Sequence, residues 1–150
     1  MSPAIVRSPD ASGAEATHNV LDGLLSLTLP IRDLYESARC QVADTVIGHL
    51  CPLFETHSAQ QQRLVDVLCN RIHGLGGAGY PAQSAYVWRR LDPGRLLCAL
   101  LDAHTLVLDA AEASRPTHPS ADPDRAIGWV VLTNDLQRQS ITEQLTRLQL

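Results

Sequence analysis

The 150-residue sequence contains no lysine: all twelve basic side chains are arginine, set against sixteen Asp and Glu, for a formal net charge of −4. That balance removes the whole-chain cationic attraction on which non-specific binding to nucleic acid phosphates rests. The stretch before Asn19 carries Arg7 as its single basic side chain, so DNA binding is not expected. Also missing is any apolar run of the roughly 20 residues that a membrane-spanning helix needs. The residues from Met1 to His18 hold no apolar segment that would act as a secretory signal, and they read as a loose tail. Cys40, Cys51, Cys69 and Cys98 stand singly, with no CxxC pair, which suits free thiols in a reducing compartment. A cytoplasmic location follows as the expectation. No glycine motif surrounds a serine, so nothing supports nucleophilic catalysis, and no catalytic residue is assigned.

No stretch alternates apolar and polar residues at period two for long enough to argue a sheet, whereas helical spacing recurs throughout. A first helix is expected from Pro30-Ile31-Arg32-Asp33 to about Leu50, with Ile31, Leu34, Tyr35, Ala38, Val42 and Val46 as its buried stripe, and Asn19 to Leu29 is a further apolar stretch, helical or extended, that could form an earlier segment bent at Pro30. Cys51-Pro52 breaks that pattern, because the residue before a proline is pushed out of the α region. A second helix follows from about Leu53 to Leu75 with Gln61, Leu64, Val65, Leu68 and Ile72 on one face, and Gly76-Gly77 supplies a left-handed stop. Gly74 to Pro81 is a glycine-rich connector, and Ala82 to Leu91 is expected to add a short helix in the crossing. Asp92-Pro93 caps a third helix running to about Ala113, with Leu97, Leu101, Thr105, Leu108 and Ala111 facing inward. The fourth begins at about Arg125, with Ile127, Val131, Leu132, Leu136, Ile141, Leu145 and Leu148 as its apolar side. At this length the chain fits one domain. The expected division is a tail over 1–18 and an all-α four-helix bundle over 19–150.

The end of the second helix, Asp66-Val67-Leu68-Cys69-Asn70-Arg71-Ile72 followed by Leu75-Gly76-Gly77, resembles the Dps-type mini-ferritins. In these proteins an aspartate, three residues, a glutamate, an arginine and an aliphatic residue precede Leu-Gly-Gly. Leu101-Asp102-Ala103-His104 is similar to the middle of the family's third helix. The resemblance implies a ferritin-like fold with an extra helix or loop in the crossover between its halves. It also implies a closed homo-oligomer, commonly a cage of twelve subunits, and iron or another transition metal bound between subunits, to be oxidised or stored. The departures bear on that chemistry. Asp66 fills the aspartate position, but Asn70 stands where the family has glutamate, and an amide brings no charge to a hard cation. The family's His-Trp pair in the first helix is missing, which leaves His57 as the candidate for the second histidine position.

Three readings of the candidate residues therefore stand side by side. His57, Asp66 and Asn70, joined by His49 and Asp44 near the Cys51-Pro52 turn, form an N/O ligand set suited to a transition metal. Alternatively the ferroxidase is lost and a cage-forming homologue remains, or the altered pocket serves a small molecule. Each histidine also has a purely structural reading, as a core-edge imidazole satisfied by the backbone. Cys40, Asp44 and Cys51 fall near one face of a continuous helix and would accept a softer metal, although a buried free thiol is the commoner use of cysteine. His104 and His73 are given no chemical role.

Overall fold

The computed structural model describes residues 9–77, 90–114 and 124–148. Among them the chain forms four long helices, α1 (Pro9–Val42), α2 (Cys51–Gly74), α3 (Pro93–Ala113) and α4 (Arg125–Leu148), with a short 3-10 turn at Gly48–Leu50 before α2. The all-α bundle expected from the sequence is the fold observed. The short helix expected over Ala82 to Leu91 and the prolines between α3 and α4 fall largely outside the described residues.

The first helix departs from expectation at both ends. It starts at Pro9, so residues 9–18 are helical, and Pro30 lies inside it. A mid-helix proline costs about 3 kcal/mol through a lost hydrogen bond and a clash with the preceding turn. Burial on both sides offsets that cost: Leu21, Leu24, Leu25 and Leu29 before it, and Ile31, Leu34, Tyr35 and Ala38 after it, belong to one core. The helix stops at Val42 rather than near Leu50, and Val46, expected in the stripe, is 82 % exposed. The Thr45 amide and hydroxyl both bond the Val42 carbonyl, at 2.9 and 2.8 Å, and turn the chain. At Gly48 a Cβ would lie 2.8 Å from the Ala43 carbonyl oxygen, so a side chain there would force the corner open.

The remaining boundaries follow local chemistry. Pro52 sits in the first turn of α2. At its other end the amides of Gly76 and Gly77 bond the carbonyls of His73 and Ile72, both at 3.0 Å, with Gly76 at a φ of 85°. Gly77 packs so closely on His18 and Ile72 that a Cβ would collide with both, which ties the start of α1 to the end of α2. The Asp92 carboxylate accepts the Arg95 amide at 3.0 Å and caps α3, and Asp124 accepts the Ala126 amide at 2.9 Å at the start of α4.

In the packed bundle α1 lies along α2 and α3 lies along α4, with α1 also against α3; α2 and α4 meet more sparsely. The inward faces of α3 and α4 differ from those expected. In α3 the buried positions are Leu96, Leu97, Leu100, His104, Val107 and Ala111, while Thr105 is exposed. In α4 they are Ala126, Val130, Asn134, Gln137 and Ile141, and the expected core residues Val131, Leu132 and Leu136 face out. No helix of the described residues is long and apolar enough to cross a membrane.

Candidate functional site

These unexpected inward faces give the bundle a polar centre to which every helix contributes. Tyr35 of α1 meets His104 of α3, hydroxyl to Nε2 at 2.6 Å, and His104 Nδ1 meets Asn134 Oδ1 of α4 at 2.8 Å. Gln61 of α2 donates from its amide nitrogen to Asn134 Oδ1 at 3.3 Å and to Gln137 Oε1 at 2.8 Å. Gln137 in turn donates to Gln60 Oε1 at 2.8 Å and to the His57 backbone carbonyl at 3.3 Å. Tyr35, His104, Asn134 and Gln61 are completely buried.

The direction of each hydrogen bond follows from a single anchor. Asn134 Nδ2 donates to the Val130 carbonyl at 2.8 Å, which leaves Oδ1 as the atom facing His104. His104 Nδ1 must then carry the proton, its Nε2 is an acceptor, and the Tyr35 hydroxyl donates to it. Burial keeps this imidazole neutral, holding its pKa down at about 4; the bond to Asn134 pulls the other way and the charge of Arg138 adds to the lowering. Burial also raises the Tyr35 hydroxyl well above its ordinary value, so it stays a donor. Passed on through Gln61, the same order turns the Gln137 amide nitrogen toward Gln60, and thereby the Gln60 amide nitrogen away from the network.

His57 lies beside this chain with its ring edge-on to Tyr35, centroids 5.0 Å apart. It is 6 % exposed, its Nδ1 is buried without a hydrogen-bond partner, and its pKa is lowered to about 4, first by burial and then by His104. Asp66 lies nine residues further along α2. That spacing is about 13.5 Å of rise and half a revolution, so one helix cannot bring the two into a common site. Asp66 is exposed and accepts a bond from Gln62 at 3.1 Å; Asn70, one turn on, is exposed as well. His49 and Asp44 are exposed at the corner between α1 and α2, away from the buried His57. The helix ends at Val42, so Cys40, Asp44 and Cys51 do not lie on one continuous helix; the Cys51 thiol points at the Arg39 carbonyl at 3.5 Å. Cys98 is exposed and Cys69 is half-buried.

Among the described residues no group of three or more His, Cys, Asp and Glu side chains could hold a metal ion. The buried centre offers neutral imidazoles, amides and a phenol and no carboxylate, a poor donor set for a hard or borderline dication. Its members His104, Asn134 and Gln137 carry no signal in a hydrophobicity profile, and only their helical spacing with Val107, Val130 and Ile141 marks them as inward.

Between α2 and α4, where helix contact is sparse, a cavity of about 550 Å³ opens beside the network. Leu64, Val67, Trp129, Leu132 and Leu136 form its apolar walls, and His57, Gln60, Thr133 and Gln137 its polar side, with Arg63 beside them.

Four long helices around a buried polar centre, with a long connection between the two pairs, define the ferritin-like class of bundle. Within that class the chain has the Dps-type fold. It superposes on DpsC from Streptomyces coelicolor with a TM-score of 0.76 over 97 % of this chain and 91 % of that one, at 22 % identity. No protein-family model matches the sequence, and no curated protein matches it.

Proposed function

We propose that this protein is a Dps-like shell subunit, a ferritin-fold chain that assembles with copies of itself and whose bundle interior is a neutral hydrogen-bonded core and not a metal site. The observation that carries the reading is the chain from Tyr35 through His104, Asn134, Gln61 and Gln137, which links the bundle's centre across all four helices without a carboxylate, leaving Gln61 Oε1 unpaired. The Dps-type fold supports assembly into a closed, symmetric oligomer. In this reading the interior neither binds iron nor oxidises it. Mass photometry of the purified chain should give a closed multiple of 16.3 kDa; a 16.3 kDa particle at micromolar concentration would remove the assembly claim.

A second reading has its own observation. Asp66 and Asn70 are exposed one turn apart on α2, where a second subunit could complete a site for iron or another transition metal. Aerobic Fe(II) oxidation separates the two: acceleration by the natural chain that Asp66→Ala abolishes would favour the interfacial site, and no acceleration by either would favour the shell.

A further inference from the structure

The cavity between α2 and α4 is not used by the proposed shell role, and its polarity is set by the network behind it. Gln60 Oε1 is taken by Gln137, so the Gln60 amide nitrogen is the group left to the cavity. Thr133 and Arg63 line the same space, and neither has a hydrogen-bond or ion-pair partner among the described residues. No Asp or Glu lines it. The cavity therefore presents donors and one fixed positive charge at one side, and aliphatic and indole surface at the other. His57, nine-tenths buried in the wall, has an unpartnered ring nitrogen. A volume of about 550 Å³ lies in the range of sites that hold small organic ligands, roughly 300–1,000 Å³.

We infer that this groove is a binding site for a small apolar carboxylate. The hydrocarbon body lies along Leu64, Leu132, Leu136 and Trp129, and the carboxylate accepts from Arg63 and from the Gln60 amide or the Thr133 hydroxyl. A neutral apolar ligand would fill the same walls but leave the donors unpaired, and an organic cation would meet Arg63 with no carboxylate to offset it.

Decanoate and its neutral counterpart decanamide are the probes, titrated into the full chain by calorimetry and by Trp129 fluorescence in a Trp88→Phe background. Decanoate should bind at least about tenfold more tightly than decanamide, the gain a charge-assisted contact confers. Arg63→Ala should erase that difference while decanamide binding stays within about threefold. Leu136→Glu, at an exposed position, should abolish decanoate binding while leaving the melting temperature unchanged. Equal affinity for acid and amide, or decanoate binding untouched by either substitution, would overturn the proposal. So would Trp129 emission already blue-shifted in the free protein and returning to the red on dilution, since a second copy of the chain would then fill the groove. Particle mass is measured independently, so failure here leaves the shell reading standing.

Discussion

His57 and His104 are both held neutral by burial, with pKa values of about 4 in the folded chain against 6.5 for a free imidazole. In that interval the unfolded chain binds protons that the folded chain refuses, so stability is full above pH 6.5 and falls as pH drops toward 4. The slope contributed by each histidine is at most about 1.4 kcal/mol per pH unit. Denaturant unfolding at pH 7.5, 6 and 5 should show this loss, and His57→Gln should remove about half of the histidine share. A stability independent of pH over that range would contradict the burial. Asn134 is the anchor that orients the chain, so Asn134→Ala leaves His104 Nδ1–H and one Gln61 amide hydrogen without their acceptor in a fully buried core, while Gln61 keeps its bond to Gln137. The expected loss is about 3 kcal/mol, read from the urea midpoint at unchanged m-value.

At the level of the helices, ends and faces were legible to different degrees. Asp92-Pro93, Cys51-Pro52 and Gly76-Gly77 announce boundaries because capping and φ restrictions act within a few residues, and the structure places α2 and α3 within two residues of expectation. Pro30 lies inside α1 and does not begin it, because its local cost is overridden by apolar positions on both sides, a tertiary effect that no local rule contains. The faces of α3 and α4 were misassigned for a different reason: the buried stripe 126, 130, 134, 137, 141 has helical spacing but is partly amide, while Val131, Leu132 and Leu136 draw the hydrophobic reading outward. Of the candidate site residues, His57 lies beside the polar centre, whereas His104, Asn134 and Gln137, which build it, belong to no motif that marks them in the sequence. Two substitutions probe the boundaries. Gly76→Ala, at a φ of 85°, should lose about 1–2 kcal/mol through the left-handed backbone. Asp92→Ala should lose about 1 kcal/mol with the cap of α3. Thermal melts of both variants check these values.

At the scale of the whole molecule, the Dps-type fold surrounds a centre with no carboxylate among its members. A ferritin-like bundle needs its centre filled, and here imidazole, phenol and amide groups bond in a chain that leaves only His57 Nδ1 and Gln61 Oε1 unpaired among its members, so the interior has hydrogen-bonding order and no charge to offer a cation. Asp66 and Asn70 stay exposed on α2, outside that centre. Aerobic Fe(II) oxidation by the protein carrying Asp66→Ala, against a protein-free control, tests the central claim most directly, because that variant removes the exposed Asp66 carboxylate and keeps the buried centre intact. The account predicts a rate equal to the control, with no iron retained after desalting; accelerated oxidation with iron bound to the variant would contradict it.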